Sequence, residues 1–231
     1  AQTVVPDRKL LREFTLDNGL DVVVFPYGEA PIVRAALVVG GQSYGSPDGY
    51  GGLNWFSEEL HERGTKMDAV QNIMSVAGAF FSGSQGSSSV MEVAGSSGNL
   101  EALLTKLRAE TEQFEWWPAE KGELLRKKIK KVKGRKKNKP ENWSGRLHDE
   151  HLYPNHRFGG WGNVAYYEKM KEWGLSDVQG WARRRYQPAN SKLVVVGKIT
   201  DADAAEASVR AFFDGWKVHS DVEVGPLPKP K

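Results

Sequence analysis

The stretch that decides the fold runs from Arg184 to Gly197: R-R-Y-Q-P-A-N-S-K-L-V-V-V-G. Its first residues close a helix expected over Ser176–Tyr186, with Ser176 as the N-cap, since a hydroxyl can accept a bond from an unpaired N–H of the first turn. Leu193–Val196 is a short unbroken apolar run bounded by polar residues and glycine, the pattern of a buried strand. Asp201–Phe213 follows as a last helix. The C-terminal part of the chain is therefore helix, strand, helix.

Working back from that segment, Arg12–Leu16 alternates and Leu20–Phe25 is rich in valine. Asp17-Asn18-Gly19 lies between them as a turn, and Asn-Gly tolerates the positive φ angles of a type I′ hairpin. Ile32–Val39 is a third strand, ended by Gly40-Gly41. Residues 42–52 form a glycine-rich loop. Helices are expected over Leu53–Arg63 and Asp68–Ala77. Gly78–Val93 reads as two strands, the first flat and serine-rich. Gly98-Asn99 opens a helix from Leu100 to about Phe114, with Leu103, Leu104 and Leu107 apolar, and Trp116-Trp117-Pro118 stops it. Further helices are expected over Ala119–Lys137 and Glu141–Leu152. This order is not a regular strand–helix alternation. The class is α+β: one mixed, mainly antiparallel sheet with helices packed on it. A single domain is expected over residues 1–220, followed by a proline-rich tail or linker, 221–231.

Composition removes several function classes. With 39% hydrophobic and 26% charged residues the chain is not wholly disordered. It has no cysteine, which excludes a disulfide scaffold, a thiolate zinc finger, an iron–sulfur site and a cysteine nucleophile. No apolar run approaches the roughly 18 residues of a membrane helix. The net charge of +3 hides an asymmetry. Residues 121–139 hold 11 Lys/Arg and one acid, Glu123, whereas the remainder has 21 Lys/Arg against 28 Asp/Glu, a balance of −7. Leu124, Leu125, Ile129 and Val132 give the basic segment an apolar stripe, so it is an amphipathic helix with a cationic exposed face. The first reading is a plain solvated face; if it binds anything, it suits an acidic protein or an anionic surface. Nucleic acid is not expected, since no aromatic residues are interleaved and no nucleic-acid motif occurs.

Several pieces carry a resemblance. They are L-D-N-G-L at 16–20, G-L-N-W-F-S-E-E-L-H-E-R-G-T at 52–65, L-Y-P-N-H-R-F-G at 152–159 and the stretch at 184–197, followed by A-F-F-D-G-W at 211–216. In order and spacing the chain resembles one N-terminal-type domain of the pitrilysin/insulinase metallopeptidases. That family includes the mitochondrial processing peptidase and the cytochrome bc1 core proteins. The resemblance implies a motif H-x-x-E-H on the first long helix, where two histidines one turn apart bind Zn²⁺ and the glutamate activates its water. Here the matching residues are Trp55-Phe56-Ser57-Glu58-Glu59. Trp55 and Glu59 stand where both histidines belong, and only Glu58 matches. The third ligand belongs about 75 residues on, where the sequence is lysine-rich from Lys130 to Lys137. An indole cannot ligate zinc and nearby lysines repel it, so no metal, no cofactor and no catalysis are expected.

Other constellations are weaker. His61 follows Glu58 at i+3, without the second copy a di-metal carboxylate site needs. His148 and His151 flank Asp149 and Glu150, and are read as a surface helix turn. Gly49-Tyr50-Gly51-Gly52 lacks the Lys-Ser/Thr of a P-loop.

The resemblance also implies a peptide-binding mode, in which unfolded peptide adds as a strand to an exposed sheet edge. The corresponding residues are Phe80, Phe81, Ser82, Gly83 and Ser84, within an edge expected over Ala79–Gly86. The implied partners are a second peptidase-like domain or subunit and, at the edge, unfolded peptide. Two alternatives stand beside this: a fragment of an active zinc endopeptidase whose catalytic domain lies elsewhere, and a structural scaffold like the bc1 core proteins. The opening AQTVV has neither the basic nor the apolar region of a signal peptide. A start at Ala-Gln is compatible with a mature end left by a signal peptidase and equally with an arbitrary boundary; the resemblance makes a periplasmic or otherwise exported location the expectation.

Overall fold

A computed structural model of the chain describes residues 8–40, 79–85, 88–136 and 172–219, with Ser144, His148, His151 and Leu152. The helices expected over 53–63 and 68–77, the 153–162 loop and the 221–231 tail lie outside the described residues. Two compact units divide the chain. One comprises 1–40, 65–112 and 186–220; the other comprises 41–64, 113–185 and 221–231.

The first unit is built on a six-stranded sheet. Its strands are β1 (Arg12–Thr15), β2 (Asp21–Pro26), β3 (Ile32–Val39), β4 (Ala79–Gln85), β5 (Ser88–Ser96) and β6 (Ser191–Gly197). They lie in the order β1-β2-β6-β3-β5-β4. Only β2 and β6 are parallel; the other neighbours are antiparallel. The sheet is thus mixed and mainly antiparallel, and the α+β class holds. Alternation decides which face is buried. Val22 and Val24, Leu193 and Val195, Val33, Ala35, Leu37 and Val39, and Met91 and Val93 are all buried. Cross-strand register stacks them: Leu37 sits between Leu193 and Met91, and Ala35 between Val195 and Val93. Two helices, α1 (Leu100–Glu112) and α4 (Ala202–Phe213), supply Leu103, Leu104 and Leu107 and Ala205, Val209 and Phe213 to the same buried set.

The quoted motifs prove to be pins of this unit. Asn18 donates from its amide nitrogen to the carbonyl of Phe213 at 2.7 Å and to that of Trp216 at 3.3 Å. The Phe213 carbonyl also accepts from Trp216 N–H at 3.0 Å, so Asn18 adds a second donor just where α4 ends. So L-D-N-G-L holds A-F-F-D-G-W. Asn190 exchanges bonds with Gly40 at the end of β3, its backbone carbonyl accepting from Gly40 N at 2.9 Å and its side chain donating to Gly40 O at 3.0 Å. Gln187 pairs both ends of its amide with the backbone of His219. Gly197, with φ +141°, closes the V-V-V-G run where a Cβ would lie 2.3 Å from the Ile32 carbonyl oxygen.

Two local expectations change. In the β1–β2 turn, Gly19 N–H donates to Leu16 O and Leu16 N–H donates to Leu20 O, both at 2.9 Å. That is a three-residue hairpin loop with Gly19 at φ +89°, not the two-residue type I′ loop, whose bond would run from Leu20 to Asp17. Ser176 is not the N-cap, because the helix α3 spans Leu175–Arg185. Asp177 instead accepts from Gly174 N–H at 2.7 Å, the carboxylate half of a capping box.

In the second unit, α2 (Glu120–Lys136) and α3 accompany a 3-10 turn, Gln113–Trp116. Leu125 and Ile129 of α2 are buried, as are Phe114, Trp117, Val178 and Trp181. Gln179 donates to Phe114 O at 2.8 Å, and Arg183 grips Glu115 with two bonds of 2.7 and 2.6 Å. The Lys121 ammonium lies 6.0 Å from the Trp117 ring.

Candidate functional site

β4 is A-F-F-S-G-S-Q, seven residues with no charge and no proline. It reaches about 23 Å at the usual strand rise. Its one strand neighbour among the described residues is β5, with Phe80 opposite Val93, Ser82 opposite Met91 and Ser84 opposite Ser89. β5 is held in turn along its length by β3, from Ile32 opposite Ser96 to Val39 opposite Ser89. The residues singled out from sequence, Phe80 through Ser84, thus fall together on the outermost strand, on a well-anchored support. Gly86 lies outside the described residues.

The two ends of the sheet differ chemically. β1, at the other end, is only four residues long and carries Arg12 and Glu13. Arg12 is salt-bridged to Asp203 of α4, and Arg210 of α4 lies 5.0 Å from the Phe14 ring. The Asp203 hydrogen bond raises the pKa of Arg12, and Glu206 does the same for Arg210, so both remain cationic. Short length and charge are the usual protections of a strand edge. β4 has neither. An exposed strand edge presents alternating N–H and C=O groups to an extended chain, whose backbone it can bind with little regard to side chains.

Trp55, Glu58 and Glu59 lie outside the described residues, as does His61. In the region matching the third ligand, α2 places Ile129 in the buried set and Lys130 in the exposed one. His148 and His151 are exposed helical residues. Among the described residues no three His, Asp or Glu side chains cluster to hold a metal, and no helix is long and apolar enough to cross a membrane. A groove of about 570 Å³ opens where the starts of α1 and α4 approach Val33 and Lys198. Its Asp201 carboxylate already accepts from the N–H groups of Asp203 and Ala204, so these two donors of the α4 terminus are taken.

Sequence reading missed the roles of Asn18, Gln187 and Asn190. Their signal was present, since each is an amide side chain in a quoted motif, Asn18 beside Gly19, Gln187 beside Pro188 and Asn190 two residues after that proline. Their partners, however, stand up to 198 residues away.

No family model and no curated protein matches the chain. Solved structures do. The periplasmic protease PqqL from Escherichia coli superposes with a TM-score of 0.73 at 19% identity, over 98% of this chain and 26% of that one. A protease from Helicobacter pylori gives 0.70 and 18%, over 98% of this chain and 54% of that one. A protein from Alicyclobacillus acidocaldarius described as an M16-like peptidase gives 0.66 and 16%, over 91% and 51%. This chain spans about a quarter to a half of the structures it matches. At these identities the likeness establishes the fold, that of an M16-type peptidase half-domain.

Proposed function

We propose that this fold serves here as a non-catalytic peptidase-like domain, which binds an extended segment, from an unfolded peptide or a partner domain, along the free edge of β4. The observation that carries the reading is the contrast between the sheet ends: β1 is short and charged, whereas β4 is long, uncharged and paired on one side among the described residues. Its non-catalytic character rests on Trp55 and Glu59 standing at the histidine positions of the motif. A location outside the cytoplasm fits the periplasmic setting of PqqL.

A second reading has its own support. The chain covers only 26% of PqqL, a protease, so this domain can be one part of a longer zinc endopeptidase with its catalytic domain elsewhere. Both readings use β4 in the same way. They differ in whether an intact metal motif accompanies the domain.

The test is a pair of proline substitutions at adjacent β4 positions, Ser82→Pro and Gly83→Pro. In an antiparallel ladder neighbouring N–H groups point to opposite sides. One substitution therefore removes a bond to β5 and lowers stability. The other removes an outward donor, leaves the melting temperature close to wild type, and weakens binding of an uncharged, labelled extended peptide. If neither proline affects peptide binding, or no such peptide binds, the reading fails.

A further inference from the structure

The helix α2 runs unbroken from Glu120 to Lys136. Its apolar stripe is already used: Leu125 and Ile129 are buried, with Lys121 beside them over Trp117. The opposite side exposes Arg126, Lys127 and Lys130. Among the described residues none gives these three an acidic partner. The two acids of the helix, Glu120 and Glu123, stand in its first turn, where the helix dipole favours negative charge. Arg126 lies well short of the last turn, so the same dipole does not account for it. Arg126 and Lys130 are also one turn apart, a like-charge spacing that destabilises an isolated helix. Glu123 stands one turn before Lys127, a favourable spacing, but three cations against that one acid leave the face with a net positive charge that no ion pair among the described residues neutralises.

We infer that the exposed face of α2 is a docking surface for an acidic polypeptide segment about one helix long. Charge complementarity selects the sign of the partner, and the length of the helix, about 26 Å, its size. A duplex would call on aromatic residues or a nucleic-acid motif, and the helix carries neither. A lipid surface would further call on an apolar face, and that of α2 is buried. This surface is independent of β4, whose proposed ligand needs no charge.

The probe is a labelled oligoglutamate peptide of about ten residues, titrated by fluorescence anisotropy. Binding is expected at low salt, falling about tenfold or more between about 50 and 200 mM salt, the direction set by release of counterions from a few neutralised charges. The triple variant Arg126→Gln, Lys127→Gln, Lys130→Gln should lose at least about tenfold in affinity, with an unchanged circular dichroism spectrum. A charge-matched control, Lys192→Gln, Lys198→Gln, Lys217→Gln, should bind nearly as well as wild type. Equal loss in both triple variants would reduce the effect to net charge and overturn the inference. So would absence of binding at low salt, or displacement of the peptide by duplex DNA or phosphatidylserine vesicles at lower total charge.

Discussion

Replacing Gly197 by alanine should destabilise the first unit severely, and the structure gives the size of the effect. Gly197 has φ +141°, a conformation open essentially to glycine, which costs another residue about 1–3 kcal/mol. A Cβ there would lie 2.3 Å from Ile32 O and 2.7 Å from Val33 Cα. Both are backbone atoms of β3, so relief requires shifting a central strand, and such overpacking costs about 1–3 kcal/mol more. The shift also strains the bonds from Tyr27 N–H to Gly197 O at 2.8 Å and from Lys198 N–H to Ile32 O at 2.9 Å, each worth about 0.5–1.5 kcal/mol. The total is at least about 3 kcal/mol, a large part of the roughly 5–15 kcal/mol that holds a domain together. Gly28→Ala is the internal control. Gly28 has φ +86° but nothing within 4 Å of its added Cβ, so it suffers the conformational strain alone. In urea unfolding, with a slope near about 2 kcal/mol/M, Gly197→Ala should lower the midpoint by about 1.5 M or more and Gly28→Ala by about 1 M less than that, the share of close approach and strained bonds. Equal midpoints for the two variants would refute the argument from close approach.

Two further outcomes are expected. Lys106 and Glu110 form a salt bridge on α1 with both side chains almost fully buried. Lys106→Met should cost about 3–5 kcal/mol by leaving a buried carboxylate without its ion partner; the double variant with Glu110→Leu should recover much of the loss, as read by thermal melting. Protein purified without added metal should hold no stoichiometric zinc by elemental analysis, and Trp55→His with Glu59→His should not by itself create peptidase activity, since the stretch from Lys130 to Lys137, where the resemblance implies the third ligand, contains no carboxylate.

What could be read from the chain was local. Ile32–Val39 agrees end to end with β3 because its apolar residues leave no other period. Leu103, Leu104 and Leu107 identify the buried face of α1 by helical spacing alone. The residues Trp55 to Glu59, on which the metal-motif reading rests, lie outside the described residues. The order of the sheet was not legible. β6 is the last strand in the chain, yet it lies between β2 and β3 and parallel to β2. Nothing in L-V-V-V-G says which strands flank it. The need for glycine at 197 is likewise invisible locally, because it arises from the carbonyl of Ile32. The turn was misread because Asn-Gly is equally at home in two loop lengths, and the pairing of Leu16 with Leu20 decides between them. The flat composition of Ala79–Gln85 was visible, while its place at the end of the sheet was implied by the resemblance and not by these residues themselves.

Hydrogen exchange along β4 tests the central claim most directly. In the isolated protein, half of the amides from Phe80 to Ser84 should exchange fast, in alternation with slower ones bonded to β5. Addition of an uncharged extended peptide should slow the fast set, with little change in β1. If these amides are already all protected without peptide, or if their exchange is unaltered when peptide is present in excess, β4 is not an open edge and the proposed function is wrong.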